Sequence, residues 1–94
     1  MSDHIVKEER TLTGANQFVT VRFPAPTFNL SISGIWAGTL TLQRSFDRQN
    51  WVDVATYTAN AEEVGDDPEE NIDYRLGFKA GDFSSGSAVV RLSQ

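Results

Sequence analysis

The apolar residues of this chain recur with a period of two, not 3.6. Residues 71–79, Asn-Ile-Asp-Tyr-Arg-Leu-Gly-Phe-Lys, alternate without a break. Ile72, Tyr74, Leu76 and Phe78 share one face; Asp73, Arg75 and Lys79 share the other. This pattern predicts a half-buried antiparallel strand. Gly77 on the polar face points to a bulge or a close neighbour. Residues 36–44 repeat the alternation, with Trp36, Leu40 and Leu42 opposite Thr39, Thr41 and Gln43. Residues 51–58, Trp-Val-Asp-Val-Ala-Thr-Tyr-Thr, form the next run. Between them Asp47 and Asn50 flank a short tip and tolerate left-handed backbone, which predicts a hairpin. Two registers fit the second arm: Val52 and Val54 inward, or Trp51, Ala55 and Tyr57 inward.

The remaining segments follow the same scheme. Residues 17–23 read as a strand interrupted by Pro24 and Pro26, which cannot donate to a ladder. Residues 28–33 place Phe28, Leu30 and Ile32 on one face and end at Gly34. Residues 5–12 carry Lys7, Glu8, Glu9 and Arg10, charges that suit an edge strand. Residues 87–93, entered through Ser84-Ser85-Gly86, align Ala88, Val90 and Leu92. About seven short strands and no helical pattern predict an all-β chain, a single small antiparallel β-sandwich or barrel. Phe18, Phe23, Phe28, Trp36, Tyr74 and Phe78 are the expected core aromatics.

Length and composition narrow the chemistry. Ninety-four residues make one domain, with residues 1–4 expected as a loose N-terminal end and residues 60–71 as an acidic loop. There is no cysteine, hence no disulfide, no thiolate nucleophile and no cysteine-based zinc site. The one histidine, His4, makes a histidine relay or multi-histidine metal site untenable. The net charge of −5 disfavours binding to nucleic acid. No apolar run reaches the ~20 residues of a membrane span, and Met1–His4 opens no signal-peptide pattern. Phosphate-loop, dinucleotide and zincin motifs are absent, so no enzyme activity and no cofactor are expected.

The acids are concentrated. Seven of the 13 are Glu62, Glu63, Asp66, Asp67, Glu69, Glu70 and Asp73, with no Lys or Arg between residues 60 and 73. The rest of the chain carries six acids against eight bases. With Gly65 and Pro68 in it, this stretch reads as an irregular, solvated connection. Asp66, Asp67, Glu69 and Glu70 also offer oxygens to a cation or a basic partner, although the spacing is not that of an EF-hand. Trp51 and Tyr57 either cap the hairpin or stack on a sugar beside the tip residues Asp47, Arg48, Gln49 and Asn50.

Residues 36–47, Trp-Ala-Gly-Thr-Leu-Thr-Leu-Gln-Arg-Ser-Phe-Asp, then Asn50-Trp51-Val52-Asp53-Val54, resemble a pattern of small virion proteins of tailed bacteriophages. There it runs Gly-Thr-Val-Thr-Leu-Gln-Arg-Ser-Phe-Asp-Gly-Gly-x-x-Trp-x-Asp-Val. Glu70, Tyr74-Arg75 and the ending Ser85-Gly86-Ser87-Ala88-Val89-Val90-Arg91-Leu92-Ser93-Gln94 extend the resemblance to about two-thirds of the chain. Arg48-Gln49 replace glycines at the tip. The resemblance implies an immunoglobulin-like sandwich acting as a capsid decoration or cement protein on the outer capsid surface. Its partners would be the major capsid protein and copies of itself, as a trimer or other symmetric oligomer. A tail or adaptor component touching the host surface or its glycans is the alternative. The expected partner-binding residues are Lys7, Glu8, Glu9 and Arg10 as an added strand, Arg48 and Trp51 at the hairpin, and Asp66, Asp67, Glu69 and Glu70.

Overall fold

A computed structural model describes residues 7–23, 27–69 and 71–94. His4 and the N-terminal end, Pro24, Pro26 and Glu70 lie outside the described residues. The described chain is all β, in six strands: β1 (Lys7–Leu12), β2 (Gln17–Phe23), β3 (Thr27–Ser45), β4 (Val52–Tyr57), β5 (Ala61–Asp66) and β6 (Ile72–Ser93). Every pairing is antiparallel.

Two strands are far longer than the alternation suggests. The segments 28–33 and 36–44 are one strand, and so are 71–79 and 87–93. Gly34 therefore does not end a strand; it lies inside β3 opposite Ala88. A straight 19-residue strand would be roughly 60 Å long, yet the longest dimension of the molecule is 42 Å. β3 and β6 must bend together. The bend lies where their ladder shifts register, between Ala37 and Leu40 on β3. Residues 79–82 of β6 bow out there, because Gly38 faces Phe83 while Leu40 faces Phe78.

The bend divides each long strand into two limbs and creates two four-stranded layers. One runs β2, β6 (72–78), β3 (40–45), β4. The other runs β1, β6 (83–93), β3 (27–37), β5. Their inner faces meet. Phe28 belongs to one layer and Tyr74 to the other, and their ring centroids are 4.6 Å apart. Phe28 also stacks on Phe23 at 4.9 Å. At the bend Phe78 meets Trp36 and Phe83 edge-on, at 5.7 and 5.0 Å. Both open sides are clipped by hydrogen bonds. Arg10 Nη1 on β1 donates to the Phe18 carbonyl on β2 at 3.1 Å. The Tyr57 hydroxyl on β4 donates to Glu63 on β5 at 2.7 Å.

Counted as eight limbs in chain order, the pairs are first with eighth, second with seventh, third with sixth and fourth with fifth. Third–eighth and fourth–seventh pairs then close the two layers. This is the order of a jelly roll, a long antiparallel hairpin rolled into a two-layer sandwich. In the immunoglobulin arrangement the first two strands pair with each other; here β1 and β2 each pair with β6 instead.

The core follows the alternation. Leu12, Val19, Val21, Phe23, Phe28, Leu30, Ile32, Leu40, Leu42, Ile72, Tyr74, Leu76, Phe78, Ala88, Val90 and Leu92 are all buried. Each large side chain contributes roughly 1.5–3 kcal/mol by leaving water. Phe18 is an exception among the expected core aromatics. It lies half-buried on the outer face, over Gly77, where an added Cβ would sit 2.6 Å from the Phe18 ring and 2.0 Å from the Gln17 carbonyl. The close neighbour expected at Gly77 is therefore β2 itself.

β5 is the second departure. Residues 61–66 of the acidic stretch form a regular edge strand along residues 27–32 of β3. Its side chains leave little trace in the pattern, since Glu62, Glu63 and Val64 are all exposed.

Gly38 is the hinge of the bend. Its φ is +140°, and a Cβ there would meet the Asp82 carbonyl at 2.3 Å. Gly81, on the bowed segment, has φ +82° but open space around it. Gly38→Ala is expected to cost about 2–3 kcal/mol and Gly81→Ala about 1 kcal/mol. Urea midpoints of the two variants measure the difference.

Candidate functional site

The groups that could carry chemistry gather on the outer face of the layer holding β4, beneath the 46–51 tip. The alternation that buries Tyr74 and Leu76 turns Asp73, Arg75, Gly77 and Lys79 to this face. On β3 it turns Thr41, Gln43 and Ser45 the same way, and all three are buried. The tip folds over them.

Asp73 is the centre of the arrangement, with no side-chain exposure. Arg22 reaches it from β2 with Nε and Nη2 at 3.2 and 3.0 Å. Arg48 reaches it from the tip with Nε at 2.7 Å. Burial alone would raise the Asp73 pKa, but the hydrogen bonds and charges of the two guanidinium groups outweigh it and hold the carboxyl below its usual range.

The tip is built around Asp47. Its carboxylate accepts the backbone N–H groups of Asn50 and Gln49, each at 2.9 Å, and the hydroxyl of Ser45 at 2.9 Å. These bonds, led by Asn50, hold Asp47 well below the ordinary carboxylate range. Arg48 has φ +60°, left-handed backbone that favours glycine. Its N–H is caught by Ser45 Oγ at 2.9 Å. Arg48 thus takes the left-handed position of the turn and supplies a cation that closes on Asp73.

Arg75 lies between two aromatic rings. Its guanidinium carbon is 4.2 Å from the Phe18 centroid and 4.4 Å from that of Trp51, within cation–π range. Its Nε donates to Gln43 at 2.7 Å. Gln43 in turn donates to Asp53, which also takes Lys79 Nζ at 2.9 Å. Those two bonds, Lys79 first, lower the Asp53 pKa.

The register left open for residues 51–58 follows neither alternative throughout. Leu42 faces Ala55, but Gln43 faces Asp53, so Val54 is an extra residue in a bulge. Before the bulge Trp51 and Asp53 share the outer face with Gln43. After it Ala55 and Tyr57 turn inward and pack on the core. Trp51 and Tyr57, which share a parity in sequence, thus lie on opposite faces. Trp51 is half-buried against Arg75.

The acidic stretch divides in the same way. Asp67 is buried, and accepts Arg44 Nε and Nη2, both at 3.0 Å, the Glu69 N–H and the Tyr74 hydroxyl. Burial pushes the Asp67 carboxyl up, but these partners outweigh it and the net shift is downward. Burial, then Asp67, pushes the Tyr74 hydroxyl up to about 12. Asp66 accepts Thr27 Oγ1 at 3.4 Å, and Glu69 is exposed. Among the described residues no group of three or more His, Asp or Glu is placed to hold a metal ion. Lys7, Glu8, Glu9 and Arg10 form β1, fully paired with residues 88–93 of β6 in the chain's own sheet. The edge strand expected over residues 5–12 is thus present as β1, at one end of its layer.

The ionic bonds set the acid response. Asp67 and Asp73 both have folded pKa values below their unfolded ones. Their stabilisation is complete above the unfolded aspartate value of about 3.9 and is lost as pH falls through the lower folded values. The urea midpoint is expected to hold from pH 7 to about 5 and to fall below about pH 4. Asp73→Asn should cost about 1.5–3 kcal/mol at pH 7 and show a shallower acid decline. Trp51→Ala should cost only about 1–2 kcal/mol, because the ring is half-buried and its main loss is the Arg75 contact. Circular dichroism should confirm a folded variant.

No family model, no curated protein and no solved structure matches this chain.

Proposed function

We propose that the chain is a structural virion protein of a tailed bacteriophage, a decoration or cement protein that binds the major capsid protein shell from outside. The observation that carries this reading is the rolled hairpin: the jelly roll recurs in viral capsid domains. Fold alone does not assign function. The added support is the resemblance of residues 36–54 and 85–94, which form the β3–β4 hairpin and the end of β6. The buried carboxylates agree with a structural role. Asp73 holds two arginines in place and Asp67 one, where a catalytic acid would have its pKa raised towards neutrality.

The contact surface we assign is the free edge of β4 with the tip beside it. Among the described residues β4 pairs only with β3. Val52 and Val54 on that edge are 62% and 49% exposed, and Phe46 at the tip is 65% exposed. An exposed apolar edge of this kind suits burial against another subunit. A glycan-stacking surface of Trp51, Tyr57 and the tip would need both rings on one face, and the bulge at Val54 separates them.

Co-sedimentation with phage heads lacking the protein tests the proposal, with purified tails as the control. Binding to heads at a saturating, symmetric stoichiometry is expected, with heads surviving heat better. Val52→Lys should abolish it while leaving the unfolding free energy within about 0.5 kcal/mol of the parent. Binding to tails alone would overturn the reading.

A further inference from the structure

A pocket of about 190 Å³ lies between β4 and β5, on one open side of the sandwich. The residues of the two edges account for it. On β5 the positions that turn to the core are Ala61, Glu63 and Gly65, opposite Ile32, Leu30 and Phe28 of β3. None of the three is large and apolar. On β4 the inward residue opposite Leu42 is Ala55. The core margin at Phe28 and Leu42 therefore lacks the cover that a large side chain would give it. On the other open side β1 and β2 pack against each other. Here the Tyr57 hydroxyl, donating to Glu63, spans the gap, and exposed Val54 forms part of the pocket wall.

The pocket is smaller than the ~300–1,000 Å³ of a drug-sized site. It suits one ring or one branched aliphatic group, since an apolar cavity of roughly 150 Å³ admits benzene. The charged residues of its lining are Glu63 and Asp66, and no Lys or Arg lines it. Both carboxylates accept from neutral hydroxyls, those of Tyr57 and Thr27, so these bonds leave both negative charges in place. Arg44 of the adjoining β3 is taken up by Asp67. An apolar group is therefore favoured here when a cation accompanies it and disfavoured when an anion does.

The pocket adjoins the β4 edge assigned to the shell, because Val54 and Ala55 belong to both. A strand added to that edge would turn alternate side chains towards the opposite layer, over the pocket. We propose that the pocket seats one apolar side chain from such a strand of the shell subunit, with a Lys or Arg two positions away on the same face meeting Glu63 and Asp66. This rests on the shell-binding reading and names what that partner carries.

The test has two arms. In the first, the full chain is titrated with phenethylamine, benzyl alcohol and phenylacetate and followed by nuclear magnetic resonance. Saturable shifts at Leu42, Ala55 and Gly65 are expected at millimolar concentration, with the amine bound about tenfold more tightly than phenylacetate. Ala55→Leu fills the pocket from β4 and should abolish these shifts. The double variant Glu63→Gln, Asp66→Asn keeps acceptors for both hydroxyls. It should remove the preference for the amine and leave benzyl alcohol binding unchanged, and it carries the test alone if Ala55→Leu does not fold. In the second arm, both variants should bind heads about tenfold more weakly than the parent while keeping dispersed spectra. Absence of saturable shifts at the pocket, or equal binding of the amine and phenylacetate, would overturn the proposal. So would variants that lose these probe responses yet hold heads as tightly as the parent, a result that leaves the shell-binding reading standing. A parent that binds no heads overturns that reading and the proposal with it. Self-association of the parent that Ala55→Leu abolishes would give the pocket to a second copy and overturn the proposal.

Discussion

The β3–β6 ladder is the interaction on which the rest of the structure depends. Among the described residues β1 and β2 pair only with β6, and β4 and β5 only with β3. Each long strand therefore contributes an inner position to both layers. The pair must also bend, since neither strand fits the molecule if straight. Gly38 supplies the backbone conformation for that bend, and the bowed residues 79–82 take up the extra length on β6. Once the ladder is rolled, its aromatic side chains meet across the layers, and Phe28 on Tyr74 closes the core.

Charge is organised around the same frame. A small sandwich without disulfides has little core to spare, and this one extends its order outward through ionic bonds. Asp73 ties β2 and the hairpin tip to β6. Asp67 ties the end of the acidic stretch to β3 and to the Tyr74 hydroxyl. Asp53 ties β4 to β6 through Lys79. Each carboxylate joins segments distant in sequence, so the bonds hold the roll and not merely one strand. Buried ion pairs gain little over well-packed apolar groups, but losing one partner is costly. That makes Asp67 and Asp73 structural.

Two surfaces remain for function, and they are chemically distinct. The β4 edge is apolar and short, suited to burial against a protein neighbour. The outer face of the opposite layer is polar, with Glu9, Arg91, Ser31 and Glu62 in one row across its strands.

Much of this was legible in the alternation. The strands at 17–23 and 71–79 and the inward residues Phe28, Leu30, Ile32, Ala88, Val90 and Leu92 follow from period two alone. So does the hairpin at 46–50, whose Asp and Asn favour the turn. Three things were not legible. β5 hides in an acidic run because an edge strand can leave most of its side chains in water. The sides taken by Trp51 and Tyr57 depend on a one-residue bulge, which the pattern does not mark. Continuity of β3 through Gly34, and of β6 through Ser84-Ser85-Gly86, depends on each strand having the other as its partner. Side-chain alternation is a local property, so the sequence by itself determined which faces are apolar. Which strands pair, where they bend and which aspartates meet arginines are set by contacts between distant residues, and those only the rolled tertiary structure decided.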